Sequence, residues 1–284
     1  MSAIEVRALS SAFASDVTGI DLREPLDSAT CARLQQLFDE RGVLRFRDVE
    51  LAHADQLRLC EMLIRKPGGG EGSAPIEDTF YISNKRPRSA APHGRLQFHS
   101  DTMWCDTPFE VLSLYGVEVE APVVPTTFVS ATHAWETLRD ELRARVRHAR
   151  ALHTAGEVRR GDMKDVLLSS VEEPPSTETA VAFPHPRTAQ TILYVCEQMT
   201  RALVGLDAYE SERLLEELFT HLYSSENQWN QEWRPHDLVV WDNLAVQHAR
   251  ANVMVDGPAR TFRKVASPMP RLRPEQRPSY NATE

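Results

Sequence analysis

His99 and Asp101 stand two residues apart in the stretch QFHSDTMW, residues 97–104. In extended backbone, residues i and i+2 project from the same face, so the imidazole and the carboxylate can reach one ion from neighbouring positions. The triplet alone reads equally as a pair of polar residues at a strand end. A three-ligand face needs a second histidine from a distant segment. Two histidines and one carboxylate, with the opposite side open, suit non-haem Fe(II) and O2 chemistry. A zinc hydrolase can use the same three ligand types and also keeps an open position. Among the 10 histidines, His148 and His221 fall within helical patterns, His133 opens a helix, and His153 and His185 sit in or near loops. His248 ends DLVVWDNLAVQHA, the most apolar strand–turn–strand unit of the chain, where a histidine is either a satisfied core residue or a ligand. Arg260 lies on the next predicted strand. An arginine beside a metal face can fork onto a carboxylate through two parallel hydrogen bonds, although an isolated arginine reads as well as a surface ion pair. A dicarboxylate co-substrate that chelates a metal at one end needs such a clamp at the other, and the hydroxyl of Thr127 in PTTFVSA adds a donor.

These side chains need a scaffold, and the hydrophobic pattern predicts one. DSATCARLQQLFDERG reads as a helix capped by Asp27 or Ser28, with Leu34, Leu37 and Phe38 on one face and Gly42 as its stop. VLRFRD follows as a strand. AHADQLRLCEMLIRK is a second amphipathic helix, with Leu57, Cys60 and Ile64 sharing a face. VLSLYGVEVE, PTTFVSA, TAQTILYV and RTFRKVA read as strands. HAWETLRDELRARVRHA reads as one helix, and so does DAYESERLLEELFTHLY, with Asp207 and Glu210 as a capping pair. PGGGEGSAP (67–75) has the composition of a flexible loop, and residues 155–180, polar with a proline pair, read as a lid or binding loop. Short strands without regular βαβ alternation favour an antiparallel β core with helices outside, a sandwich or jelly roll, over a doubly wound sheet.

Composition narrows the functional class. A formal charge of −9 argues against a general nucleic-acid binder, while leaving room for a local basic pocket that takes a small anion. No apolar run approaches 18 residues, so no membrane span is predicted. The opening residues lack a basic start followed by an apolar run, so no export signal is expected. The four cysteines are scattered without a CxxC pair, a pattern of reduced thiols that points to the cytoplasm.

Several segments, in chain order, resemble the taurine dioxygenase (TauD/TfdA-type) family of Fe(II)- and 2-oxoglutarate-dependent dioxygenases. They are VTGIDLREPLD, ERGVLRFRD, FHSD, AFPHPRTAQTILYV, DLVVWDNLAVQHAR and GPARTFRKV, and together they span about residues 13 to 266. The resemblance implies a mainly β (α+β) double-stranded β-helix, or distorted jelly roll, with outer helices. It implies one domain up to residue 266, read here as 1–266; the tail over 267–284, proline-rich and without a core pattern, is expected from its composition to be disordered. It implies His99, Asp101 and His248 as iron ligands. It also implies that 2-oxoglutarate chelates the iron through its 1-carboxylate and 2-oxo group, with the distal carboxylate meeting Arg260 and Thr127.

O2 is the other co-substrate of the family. Because the Asp101 carboxylate is present, the implied outcome is hydroxylation, or a related desaturation or cleavage, in place of halogenation. Two departures stand out. Val124 to Thr126 read VPT where the family has GG-D. Lys264 stands where many relatives carry a second arginine, which in taurine-type members grips an anionic head group. A lysine keeps the charge and loses the fork. Arg95, four residues before His99, and Trp104, three past Asp101, are expected with Lys264 at the substrate. The implied partner is a small molecule, anionic or not: sulfonates, aryloxyalkanoates, amino-acid derivatives and natural-product intermediates are all handled within the family. No nucleic acid and no membrane are expected, and self-association is common among relatives. The rival readings are a zinc-type hydrolase and a non-catalytic jelly-roll binding protein.

Overall fold

A computed structural model describes residues 4–66, 81–87, 89–155 and 174–271. Helix α1 (Ser28–Arg41) starts where the Asp27 carboxylate accepts the Thr30 N–H at 2.9 Å, which satisfies one of the orphan donors of the first turn. It ends at Gly42, whose N–H returns to the Phe38 carbonyl. Gly42 has φ +66°, and a Cβ there would meet Val246 Cγ2 at 2.9 Å, so a glycine is needed for both the turn and the space. The chain then enters β3 (Val43–Phe46) without a loop. Helix α2 (His53–Leu63) buries Gln56, Leu59, Cys60 and Leu63. Cys60 and, just past the helix, Ile64 are buried as expected, the buried face extends one position back from the expected stripe, and Leu57 sits at its edge, partly buried against the core of α1, β3 and the neighbouring strands.

Two sheets carry the architecture. The larger joins β1 (Glu5–Ala8), β2 (Ser15–Thr18), β3, β14 (Leu238–Asp242), β6 (Val111–Val119), β16 (Arg260–Ser267) and β4 (Tyr81–Ser83) in that order. Its pairings are antiparallel except β2 with β3. The smaller joins β13 (Gln228–Gln231), β7 (Thr126–Ser130), β15 (Val246–Val253) and β5 (Gly94–His99), all antiparallel. Their inner faces meet through Leu112, Leu114, Phe128, Val239, Trp241 and Phe262. This is the jelly roll that the strand pattern predicts, with α1 and α2 packed on the outside of the larger sheet. A second core lies under α5 (Ala208–Leu222), whose Asp207 cap accepts the Glu210 N–H at 2.8 Å. That core includes residues of β12 (Thr200–Leu203) and β8 (Arg150–Thr154), which form a three-stranded sheet with β9 (Ser176–Ala180).

The structure corrects the single helix expected over 133–149. It is two helices, α3 (Ala131–Glu136) and α4 (Asp140–Val146). Leu138 dips into the core between them, and the Arg143 guanidinium satisfies the carbonyls this opens, donating to Trp135, Glu136 and Leu138 at 2.9–3.1 Å. Of the expected lid over 155–180, residues 176–180 form β9, antiparallel to β8, while 156–173 lie outside the described residues, as does the 67–75 loop. The expected tail boundary also moves. Ser267 is buried and paired with Val111 as the last residue of β16, and the Arg271 N–H donates to Thr107. Residues 272–284 lie outside the described residues. Among the described residues, no helix is long and apolar enough to cross a membrane.

Candidate active site

β5 and β15 pair so that His99 stands directly opposite His248, and Asp101 lies just past the end of β5. The two rings are 4.2 Å apart, and ligand atoms of His99, Asp101 and His248 all lie within 4.8 Å of one another. His99 Nδ1 lies 2.7 Å from the Gln97 carbonyl, which can only accept, so that nitrogen carries the hydrogen and Nε2 presents a lone pair. Nε2 in turn lies 3.2 Å from Asp101 Oδ1. Two acceptors at that distance call for a cation between them or a proton on the ring. His248 Nε2 approaches the same oxygen at 3.8 Å, and its buried Nδ1 has no hydrogen-bond partner. Burial, with the neighbouring His99, holds the His248 pKa well below the usual histidine range, so this ring is a neutral ligand at pH 7. Burial would raise the Asp101 carboxyl, but the Lys264 ammonium, with the His99 hydrogen bond, outweighs it and holds Asp101 well below the carboxylate range. Two imidazoles and an ionised carboxylate converging on one point fit a divalent metal.

The triad lies in the wall of a cavity of about 240 Å³ between the two sheets. Lys264 pairs with Asp101 Oδ2 and lines the cavity together with Trp104, Phe109, Leu112 and Trp241. Arg260, 4% exposed, also lines the cavity, with Nε donating to the Val124 carbonyl and Nη2 to Thr126 Oγ1. Burial and the nearby Arg250 charge push its pKa down to about 9, so it is charged at neutral pH. Among the described residues no carboxylate pairs with it.

Two residues expected at the site are elsewhere. Thr127 faces away and donates to Asn230 Oδ1 at 2.7 Å, while of the two adjacent threonines on β7 it is Thr126 that lines the cavity. Arg95 is exposed and does not line the cavity. The β5–β15 ladder explains why: between the His248–His99 and Arg250–Leu96 pairs, β5 carries one residue more than β15. That bulge inverts the alternation, so Leu96 joins His99 on the inner face and Arg95 turns to solvent.

The model of the taurine catabolism dioxygenase TauD, TfdA family matches residues 5–265. The chain belongs to this family. It is a 2-oxoglutarate-dependent dioxygenase acting on a small molecule. It is 26% identical over 269 residues to an (S)-phenoxypropionate/alpha-ketoglutarate-dioxygenase of Sphingobium herbicidovorans, covering 87% of this chain and 88% of the relative. It is 25% identical over 264 residues to the alpha-ketoglutarate-dependent 2,4-dichlorophenoxyacetate dioxygenase of Cupriavidus pinatubonensis, covering 83% and 88% of the two chains. Among solved structures, a taurine dioxygenase from Burkholderia xenovorans superposes with a TM-score of 0.73 at 24% identity, covering 96% of this chain and 94% of that one.

In this TauD/TfdA-family chain, two residues of the WDN segment that the sequence reading left without a role hold the ligand-bearing loops in place. Asn243 Oδ1 accepts the Asp101 N–H, and its amide donates to the Asp101 and Phe109 carbonyls, each at 2.9 Å. Asp242 Oδ1 accepts the N–H groups of Leu244 and Ala245, closing the turn that feeds β15. Its Oδ2 meets His185 Nε2 at 2.9 Å and the Arg187 guanidinium, which also binds Asp39 of α1 at 2.6 Å. Asp242 is pushed down to about 2, because His185 and Arg187 outweigh its burial. The sequence signal for both was present, a polar pair at the turn of the most apolar hairpin.

Proposed function

We propose that His99, Asp101 and His248 hold Fe(II), and that the chain couples O2 and 2-oxoglutarate to oxidation of an unactivated C–H bond of a small anion with an apolar body. The observation that carries this is the placement of three convergent ligand atoms at the wall of a cavity whose other residues include a buried, carboxylate-free Arg260. Fe(II), when bound, supplies the activation of O2 that accompanies conversion of 2-oxoglutarate to succinate and CO2. The protein's part is orientation and exclusion of water. Arg260 and the Thr126 hydroxyl receive the distal carboxylate of 2-oxoglutarate. Trp104, Phe109, Leu112 and Trp241 keep the cavity apolar and position the substrate. Lys264 is the cation that meets the substrate's anionic group, consistent with relatives named for phenoxypropionate and 2,4-dichlorophenoxyacetate. The four free thiols, three of them buried, suit a reducing cytoplasm.

The test is succinate release from 2-oxoglutarate under O2, with candidate aryloxyalkanoates and sulfonates and with Fe(II) or Zn(II). Activity is expected with Fe(II) alone and is lost in His99→Ala. Full activity in that variant, or equal turnover with Zn(II), would sink the assignment.

A further inference from the structure

Arg250 has no role in the reading above, yet it is one of the least ordinary residues of the chain. It lies two positions past His248 on β15, in unbroken antiparallel register with β7, so its side chain shares the inner face with His248. Opposite it in that register stands Thr126, whose hydroxyl also receives Arg260. Arg250 is 5% exposed and lines the same cavity. Its Nη2 donates to the Ala91 and His93 carbonyls, at 2.6 and 3.0 Å. Its Nε is buried without a partner, and Nη1 makes no hydrogen bond among the described residues.

Buried arginines elsewhere are engaged by protein partners: Arg263, also without a carboxylate partner among the described residues, donates to Gln56 and to the Leu51 carbonyl and does not line the cavity. Arg45 meets Asp16 at 2.7 Å, and Arg187 meets Asp39 and Asp242. Arg250 and Arg260 meet no carboxylate among the described residues, although both line one cavity, Arg250 from β15 of the smaller sheet and Arg260 from β16 of the larger. Two like charges out of water and without a counter-ion are unfavourable unless a ligand supplies the anion. Anchoring the Ala91–His93 backbone takes only one of the guanidinium's three nitrogens. A single carboxylate has about four lone-pair sites and can accept from two guanidinium groups and a hydroxyl together.

We propose that Arg250 is a second guanidinium for the distal carboxylate of 2-oxoglutarate, which it shares with Arg260 and Thr126. This rests on the co-substrate reading above, and the experiment separates the two. Binding of 2-oxoglutarate and of pyruvate is measured by calorimetry on Mn(II)-loaded protein, which does not turn over. Pyruvate keeps the 2-oxo acid group and lacks the distal carboxylate. Arg250→Met is expected to weaken 2-oxoglutarate about 10-fold or more, the loss of a charged hydrogen-bond partner, while pyruvate changes less than about twofold. Arg250→Lys, which keeps the charge without the planar fork, is expected to fall between wild type and Arg250→Met.

Equal losses for the two ligands would reduce Arg250 to an anchor of residues 91–93 and overturn the proposal. So would unchanged 2-oxoglutarate binding alongside a selective loss in Arg260→Met, an outcome that leaves the co-substrate reading standing. Failure of the wild-type protein to bind 2-oxoglutarate at all would overturn both.

Discussion

Thr126 Oγ1 accepts hydrogen bonds from Trp233 Nε1 at 3.0 Å and from Arg260 at 3.4 Å, so its own proton is left for an acceptor inside the cavity. Thr127 spends its proton on Asn230, across the β7–β13 pair. Removing one hydrogen bond to a charged ligand costs about 1.5–3 kcal/mol, or roughly 10- to 150-fold. Thr126→Val is therefore expected to raise the KM for 2-oxoglutarate by about that factor, and Thr127→Val to leave it within about twofold. The reverse order, read from succinate release against 2-oxoglutarate concentration, would return the clamp to Thr127. The residue type and its neighbourhood were legible in PTTFVSA. The choice between adjacent threonines was not, because it depends on which one stands opposite Arg250 of β15.

The β14–β15 hairpin is the element on which the site depends. It carries His248, its turn holds the Asp101 segment through Asn243, and Asp242 ties that turn to His185, Arg187 and Asp39. Breaking a buried charge network by removing one partner typically costs about 3–5 kcal/mol. Asp242→Asn is expected to lower the unfolding free energy by about that amount, as measured by urea denaturation at pH 7. The network also sets an acid limit. Asp242 has a folded pKa of about 2 against an ordinary 3.8. Its contribution is complete above pH 4 and is lost as pH falls from about 4 to 2, amounting to about 2 kcal/mol. Wild-type stability should fall more steeply across that window than that of Asp242→Asn. Parallel curves would remove Asp242 as the titrating group. The helix split at Leu138 belongs to the same scale: HAWETLRDELRARVRHA has strong helix propensity throughout, but the core takes Leu138 and Arg143 caps the break.

At the scale of the molecule, the site joins the two sheets. His99 and His248 belong to the smaller, and Arg260 and Lys264 to the larger. A ligand bridging them binds the folded state alone and stabilises it by mass action, by about 2.7 kcal/mol at a concentration 100 times its Kd. Fe(II) under anaerobic conditions is expected to raise the melting temperature, 2-oxoglutarate to raise it further, and excess chelator to reverse both. His99→Ala should abolish the metal-dependent rise. A rise that survives in His99→Ala would place the metal at other ligands.

The sequence by itself determined the chemistry available and most of the elements. His-x-Asp spacing, a histidine ending an apolar hairpin, an arginine on the strand after it, and the capping residues Asp27, Gly42 and Asp207 all act through local geometry, which a chain carries in its residue order. The tertiary structure decided which of those side chains face one another. A bulge in β5 sends Arg95 to solvent, the β7–β15 register selects Thr126 and places Arg250 beside it, and an ion pair joins Lys264 to Asp101. Each of these is set by strand pairing across long sequence separations, where a shift of one residue turns a side chain from one face of the sheet to the other.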